Sequence, residues 1–483
     1  MPLTTLWVLP LLGAVVCGTL GRYGRRPAKL AALSFSLVYV GVVGMIMLLS
    51  QSNAAFATIN EIGPQWAYGI SYCLFADSLA LGLIGLTAFL NLVCVISSWE
   101  QDVSAGYWSC FLALASALTG VFLARDLFFF YVFWEATLIP MFFIIGLWGS
   151  SGRRHAAVKF FLFTFAGSVF MLLAILALVS AHHAATGVWT WDLSRLDAKP
   201  LGAAARWVFW GLVLGFAVKI PMVPLHTWLP DAHTEAPAAG SVMLAGVMLK
   251  MGVYGLLRIA LPLFPELSWD ALPILGGLAA FSTIYGALCA MAQTDLKRMI
   301  AYSSIAHLGF CLLGVLSRTS QGLTGGALQL VNHGLTTGAL FLMVGFLYER
   351  AHKRGLSDFG GLAERAPYLA FFFGFSTLAS IGLPGLNGFV GEFMSLSGAL
   401  AALPVLAFAG VVGVTLAAAY ALPAFQAVFW TPAGAGSVSA QVTDLNRRER
   451  AIMWTLCGLM LWIGVAPKPW LAWFEPAVRG LVR

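Results

Sequence analysis

The sequence predicts an all-α polytopic membrane protein with about 14 transmembrane helices. Of its 483 residues, 60% are hydrophobic and only 10% are charged, a composition that soluble globular domains do not show. Apolar runs close to the roughly 20 residues that a helix needs to cross a bilayer recur along the whole chain. Two of these runs contain helix-breaking residues, so two of the helices are expected to be broken.

The expected spans follow from the apolar runs and from the charged or turn-forming residues between them. In order, they are residues 3–20, 30–50, 76–99, 106–124, 127–148, 156–181, 204–229, 236–261, 271–292, 298–317, 322–348, 367–400, 402–430 and 450–466.

Two spans are interrupted. The run 204–229 contains Pro221, Pro224 and Pro230, and prolines remove backbone donors and open a helix. The run 367–400 is too long for one crossing, because a helix rises about 1.5 Å per residue and the hydrocarbon core is about 30 Å thick. It contains Gly-Leu-Pro-Gly at 382–385. Irregular backbone at membrane depth is tolerated only where protein covers it or where it lines a wet cavity.

The positions of the two breaks predict an internal symmetry. Spans four to eight contain the first break and spans nine to thirteen the second, each time in the fourth helix of the unit. A unit with an odd number of spans is followed by one of opposite orientation, which predicts two inverted five-helix repeats, a common transporter plan. The expected regions are 1–105 (flanking helices), 106–261 (first repeat), 271–430 (second repeat) and 431–483 (C-terminal loop and last helix).

Lysine and arginine predict the orientation. Sixteen of the 27 lie in loops that follow odd-numbered spans, and nine lie on the other side. The richer side is expected to be cytoplasmic, which places both termini outside. The net charge of +7 is therefore interpreted as a topology signal and not as a nucleic-acid-binding surface.

Six ionisable residues lie inside apolar spans, where a charged side chain costs at least about 2.5 kcal/mol to insert. Such residues usually line ion pathways. They are Glu135, Lys219, Lys250, His307, His333 and Glu392.

The six residues suggest a proton relay. A lone buried carboxylate needs a cation or a proton, and Lys219 is the candidate partner of Glu135. His307 and His333 have serine and threonine neighbours that are able to pass protons through side chains and water. Glu392 follows the second break much as Lys219 lies close to the first.

Simpler interpretations stay open at this point. The lysines would be ordinary if they lay near helix ends and extended to water. A separate alternative is that Glu135 and Lys219 form a static buried ion pair. A third is that the histidines are core residues with satisfied hydrogen bonds.

Other chemistry has little support in the sequence. The cluster His226, Asp231, His233 and Glu235 has metal-ligand residue types but no common metal-binding spacing. The seven cysteines lie mostly in apolar runs without a Cys-x-x-Cys pair, as small hydrophobic residues do. Neither a phosphate-binding loop nor a dinucleotide-binding glycine motif after a strand is evident.

Four long motifs resemble a known family. They are FYVFWEATLIPMFFIIGLWG, KIPMVPLHTWLPDAHTEAPAAGSVMLAGVMLK, DLKRMIAYSSIAHLGF and GLPGLNGFVGEF. In this order they resemble the antiporter-like subunits of respiratory complex I, the proton-pumping NADH:quinone oxidoreductase, over roughly residues 70–430. Within that family, Glu392 is similar to the M-type chains, because the L- and N-type chains and the Mrp antiporter subunit typically carry lysine there. Leu386-Asn387-Gly388 departs from many relatives, which have threonine and small residues.

The resemblance implies that the chain is a proton-translocating membrane subunit of NADH:quinone oxidoreductase, and it implies a set of partners. By motif, all six ionisable residues fall on the positions of the family's proton path. The chain would hold no cofactor, whereas partner subunits would carry FMN, iron–sulfur clusters and quinone. L-type and N-type chains would be its neighbours in a bacterial cytoplasmic membrane. The alternatives are an Mrp-type cation/proton antiporter, a membrane-bound hydrogenase complex, and a structural scaffold, which would leave the six residues unexplained.

Overall fold

The fold is helical, as predicted, and crosses a membrane many times. The computed structural model describes residues 2–52, 56–434 and 436–481. Within these ranges, twelve helices are long and apolar enough to span a bilayer, or thirteen if the bent pair Arg447–Val465 and Lys468–Arg479 counts as one span. The predicted span 367–400 adds two shorter helices of 14 and 16 residues, which together make one broken crossing.

The helices of the first half match the expected spans in order. They are α1 (Thr4–Leu20), α2 (Arg25–Ser52), α3 (Ser78–Ser97), α4 (Ala105–Leu123), α5 (Leu127–Ala136), α6 (Leu138–Trp148), α7 (Arg153–Thr186), α8 (Ala205–Lys219), α9 (Trp228–Glu235), α10 (Ala238–Met243), α11 (Leu249–Gly255) and α12 (Leu261–Leu263).

The second half continues in the same manner. Its helices are α13 (Pro265–Asp270), α14 (Leu272–Met291), α15 (Leu296–Leu316), α16 (Ser320–Ala351), α17 (Leu362–Arg365), α18 (Pro367–Ser380), α19 (Asn387–Ala402), α20 (Pro404–Phe429), α21 (Arg447–Val465) and α22 (Lys468–Arg479).

Both helix breaks occur where they were expected. The first separates α8 from α9 and contains Pro221 and Pro224, whereas Pro230 lies in the first turn of α9. A proline in the first turn of a helix costs little, because the N–H that it lacks would have no helical partner there. The second break separates α18 from α19 at residues 381–386, where Gly382 and Gly385 have left-handed backbone angles.

The span from α10 to α12 contains two widened π-helical turns, at Leu244–Met248 and Leu256–Ala260. Wide turns of this kind occur mostly at functional positions inside otherwise regular helices. They flank α11, which carries Lys250, and nothing in the residue types of this segment predicted them.

A short hairpin was missed by the sequence analysis. Strand β1 (Ile59–Gln65) pairs antiparallel with β2 (Ser71–Ala76), with an irregularity between Ile62 and Gln65. The strands lie between two membrane spans and alternate too weakly to be distinguished from a loop. The carboxylate of Glu61 accepts hydrogen bonds from Thr4, which joins the hairpin to the start of α1.

The loops separate into two faces. The segments after odd-numbered spans contact each other through Gln101 with Glu349 (2.5 Å), Arg354 with Asp295 (3.2 Å) and Ser150 with Glu235 (2.6 Å). On the opposite face, Arg125 pairs with Asp192 at 2.9 Å and Arg258 pairs with Asp77. The contacts agree with the alternation of spans, while the cytoplasmic identity of the first face stays a prediction.

Three helical spans form the centre. The most apolar 18-residue window of α16 is 100% buried, and those of α15 and of the span Ala238–Leu263 are 94% buried, against 28% for α1 and α2. The central spans carry Lys250, His307 and His333. The region boundaries and the inverted relation of the two five-helix units stay predictions.

Candidate functional site

Lys250 and His333 form the first pair of the site. The Lys250 side chain is fully buried, and its Nζ donates hydrogen bonds to His333 Nδ1 at 2.8 Å and to the Ala245 carbonyl. The Ala245 carbonyl belongs to the first π turn. Lys250 therefore does not extend to water. Because an ammonium only donates, Nδ1 of His333 accepts, and the neutral ring carries its proton on Nε2.

His307 and Glu392 form the second pair. His307 Nδ1 lies 3.0 Å from Glu392 Oε1, and its Nε2 lies 3.2 Å from Ser380 Oγ. Gln329 Nε2 donates to the same carboxylate oxygen at 3.2 Å. Ser380 ends α18 and Glu392 lies in the second turn of α19, so the second helix break brings both groups to the imidazole.

The two pairs lie next to each other. The rings of His307 and His333 are 5.6 Å apart, centre to centre. Between them lies a cavity of about 10 Å³, bordered also by Thr336, Ser380 and Glu392. This volume is close to what one water molecule needs when polar partners surround it. The structure thus brings four of the predicted residues into a line, Lys250–His333–His307–Glu392.

The candidate partners Lys219 and Glu135 do not form a direct ion pair, the simpler alternative that the sequence left open. Lys219 ends α8 and is 1% exposed, and no side chain of the described residues accepts a hydrogen bond from its Nζ. Its ammonium instead lies 5.5 Å from the Phe160 ring centre and 5.8 Å from that of Trp134. Aromatic faces attract a cation, and these two rings flank it.

The position of Glu135 explains the missing contact. The helix is interrupted directly after it, where α5 ends at Ala136, and the carboxylate lies half-buried beside Tyr131 and Ser168. Lys219 and Glu135 remain close enough to interact electrostatically. The pair is thus separated, with the cation in the interior and the acid nearer the lateral surface.

Two further buried residues lie near the line, and neither was predicted from the sequence to belong to a proton path. His233 in α9 is fully buried, its ring stacks on Phe341 at 4.7 Å, and neither ring nitrogen has a hydrogen-bond partner within the described chain. Lys297 in α15 is 6% exposed and donates to the Ala236 carbonyl at the end of α9. His233 interacts electrostatically with both Lys297 and Lys250.

A larger cavity reaches Lys297 from the Arg350–Arg365 face. Its volume is about 350 Å³, and Glu235, Tyr348, Glu349 and Arg354 border it. Lys297 had been counted among the loop charges and His233 among metal-ligand types. Lys297 stands directly before the apolar run 298–317, and this position is the sequence signal that would have pointed to it. In the structure the end of α9 covers its side chain.

The four residues considered as metal ligands point to different partners. Asp231 pairs with Lys159 at 2.6 Å, and Glu235 accepts from Ser150 and from the Gly152 N–H. His226 packs 5.3 Å from the Tyr285 ring, and His233 stacks on Phe341. Among the described residues, no group of three ligands is close enough to hold a metal.

Broken helices around a buried line of lysine, histidine and glutamate define an ion-transporter-like membrane protein. The family model "NADH:quinone oxidoreductase/Mrp antiporter, TM" matches residues 124–417. The NADH-quinone oxidoreductase subunit M of Pseudomonas aeruginosa is 39% identical over 501 residues, covering 100% of this chain and 97% of the relative. That of Escherichia coli K12 is 37% identical over 500 residues, with the same coverage. The chain belongs to the NADH-quinone oxidoreductase subunit M family.

Solved structures agree with this assignment. A chain of respiratory complex I from Thermus thermophilus superposes with a TM-score of 0.88 and 33% identity, over 100% of this chain and 99% of that one. A chain of the Mrp complex from Dietzia sp. gives a TM-score of 0.88 at 21% identity, over 99% and 97%. The second similarity concerns the fold alone.

Proposed function

We propose that this chain is the proton-translocating membrane subunit of an NADH:quinone oxidoreductase. The observation that carries the proposal is the line Lys250–His333–His307–Glu392, which lies in the interior between two helix breaks. Burying such ionisable groups costs free energy. If they served only to stabilise the fold, well-packed hydrophobic residues in their place would do so at lower cost.

The hydrogen bonds of the two pairs and the short distance between the His333 and His307 rings support one order of proton transfer. Lys250 gives a proton to His333 Nδ1, and the ring then releases its Nε2 proton toward His307. A proton received at Nε2 of His307 lets the Nδ1 proton leave to Glu392 Oε1. Each step forms one N–H or O–H bond and breaks another. Each imidazole is left as its other tautomer, and it must exchange or rotate back to its starting form before the next proton passes along the same line.

Uptake is assigned to the face of the Arg350–Arg365 loop, which the lysine and arginine count makes cytoplasmic. The 350 Å³ cavity leads to Lys297, and His233 lies between Lys297 and Lys250 in electrostatic range of both. Release is assigned to Glu392, because α19 runs from the second break toward the other face. Lys219 and Glu135 interact with each other in the first unit and are assigned to the same function by the family motifs in which they lie.

Redox chemistry is assigned to partner chains. In this proposal NADH oxidation and quinone reduction take place in subunits that hold FMN, iron–sulfur clusters and quinone, and this chain carries no cofactor. L-type and N-type chains are its neighbours in a bacterial cytoplasmic membrane. The energy supplied must exceed about 2.3 kcal/mol per proton for each 100 mV of membrane potential.

A second candidate is a subunit of an Mrp-type antiporter, which the shared fold favours. The two candidates differ in their partners. Purification of the tagged chain from its native membranes should recover NADH-oxidising activity and flavin if the first proposal is right. Recovery of a complex without either would favour the antiporter.

The test of proton translocation uses Lys250→Ala in membrane vesicles that contain the whole complex. NADH-driven acidification and NADH:quinone reductase activity should both fall at least tenfold, because the central carrier is lost. Exposed Lys199→Ala is the matched control and should retain both. Normal acidification by assembled Lys250→Ala complexes would favour the scaffold interpretation.

A further inference from the structure

Three buried amide side chains connect the start of α19 to Glu392. Asn387 Nδ2 donates to the Asn332 carbonyl at 3.2 Å and to Thr336 Oγ1 at 3.3 Å. Asn332 Nδ2 donates to the Asn387 carbonyl at 2.7 Å and to Gln329 Oε1 at 3.4 Å. Gln329 Nε2 donates to Glu392 Oε1 at 3.2 Å. Asn332 and Asn387 are fully buried, and Gln329 is 2% exposed.

The order of donors fixes the orientation of Gln329. An amide has a donating and an accepting end, and Asn332 binds the accepting end. The donating end of Gln329 therefore faces the carboxylate. Without Asn332, the Gln329 oxygen would lose its donor, and only the hydrogen bond to Glu392 would be left to hold the amide in place.

We propose that Asn332 is a positioning residue for proton transfer, which acts through Gln329 to hold Glu392 Oε1 against His307. This inference rests on the proposed function of the His307–Glu392 pair. The amides of α16 and α19 then couple the geometry of the second helix break to the transfer step. A shift of α19 along α16 breaks the hydrogen bonds of Asn332 and Asn387 and, through Gln329, misaligns the acceptor oxygen.

The glycines of the break leave room for this arrangement. A Cβ at Gly391 would lie 2.2 Å from Gln329 Oε1 and 3.0 Å from Asn332 Nδ2. A Cβ at Gly382 would lie 2.8 Å from Glu392 Oε2. The two carboxylate oxygens thus have separate surroundings. Oε1 faces His307 and Gln329, whereas Oε2 faces the break, from which a proton leaves.

The test measures the rate and the pH profile of NADH-driven proton pumping in vesicles with the assembled complex. Asn332→Ala and Gln329→Leu should each lower the rate about tenfold, the worth of one hydrogen bond to a charged group. The double variant should be no worse than Gln329→Leu, because Asn332 acts through Gln329. Both single variants should displace the pH profile equally. The control Asn91→Ala removes an equally buried amide that binds Ser36, and its profile should match the wild type.

Gly391→Ala gives the same information from the opposite helix. Its methyl group would lie 2.2 Å from Gln329 Oε1 and 2.9 Å from Gln329 Cβ, so it displaces the Gln329 side chain as a whole, and the same displacement of the pH profile is expected. Additive losses, or wild-type profiles in Asn332→Ala and Gly391→Ala, would overturn the inference. If these variants pump normally while Glu392→Gln does not, the proposed function stands and the inference fails. Normal pumping by Glu392→Gln overturns both.

Discussion

At the residue scale, the two buried lysines have different surroundings. Lys250 binds a histidine nitrogen and a carbonyl, so it has a defined proton acceptor. Lys219 lies beside two aromatic rings and has no hydrogen-bond acceptor among the described residues, so in the proposed function it acts through its charge. The sequence showed that both lysines lie in apolar spans, where inserting a charge costs free energy, but it did not predict these contacts. Lys250 and His333 are 83 positions apart, and the packing of α10 and the first π turn on α16 brings them together.

Lys250→Arg separates the two roles that a lysine is able to play. Arginine keeps the charge but does not release a proton at any accessible pH. Proton pumping should therefore fall nearly as far as in Lys250→Ala, while the complex still assembles. The measurement is NADH-driven acidification of vesicles, normalised to the amount of complex. Full pumping by the arginine variant would show a fixed charge instead of a proton carrier.

Glu135→Gln and Lys219→Ala test the separated pair. The two groups interact through space without a hydrogen bond, so each variant should lower pumping and coupled quinone reduction sharply. Glu135→Gln keeps the shape of the side chain, so the complex should still assemble. Lys219→Ala also removes the contacts with Phe160 and Trp134, so assembly is measured on the same membranes. Near-normal pumping in well-assembled Glu135→Gln membranes would remove this carboxylate from the mechanism.

At the element scale, the helix breaks depend on glycine. In the second break, a Cβ at Gly388 would lie only 2.0 Å from the Ala379 carbonyl, so the first turn of α19 approaches the end of α18 more closely than any other residue permits. Sequence patterns predicted both breaks, because proline and glycine act locally. They did not predict the π turns, for which the residue types of that segment carry no signal, or the β1–β2 hairpin, whose strands alternate too weakly to be distinguished from a loop.

Gly388→Ala should therefore destabilise the second break. Overpacking of this kind typically costs about 1–3 kcal/mol, and the contact here is with backbone, which yields little. The thermal midpoint of the purified complex, or its yield, should decrease. Gly458→Ala is the control, because a Cβ there has no atom within 4 Å. An equal effect of the two substitutions would contradict this account of the break.

At the scale of the whole molecule, the chain has two faces that differ in their number of lysine and arginine residues, and one buried line of ionisable side chains in its interior. The order of spans and the lysine and arginine count predicted which loops share a face. Hydropathy predicted which ionisable side chains lie in the interior. The line itself was not predicted, because its members come from four helices and the link through His233 and Lys297 exists only in three dimensions.

The orientation gives a direct prediction. Lys353→Cys places an exposed thiol in the loop after α16, and Lys199→Cys places one on the opposite face. In intact cells a membrane-impermeant maleimide should label the second and not the first. Labelling of Cys at position 353 alone would reverse the assigned direction of proton transfer.

The central claim is that Glu392 carries protons at the end of the buried line. The most direct measurement is NADH-driven proton pumping, with quinone reduction and assembly followed in the same vesicles, for Glu392→Gln and Glu392→Asp. Glutamine preserves the shape but carries no exchangeable acid, so pumping should be lost while assembly survives. Aspartate preserves the chemistry at shorter reach and should retain part of the rate. If glutamine supports wild-type pumping and aspartate does not, the role of this side chain is steric and the account is wrong.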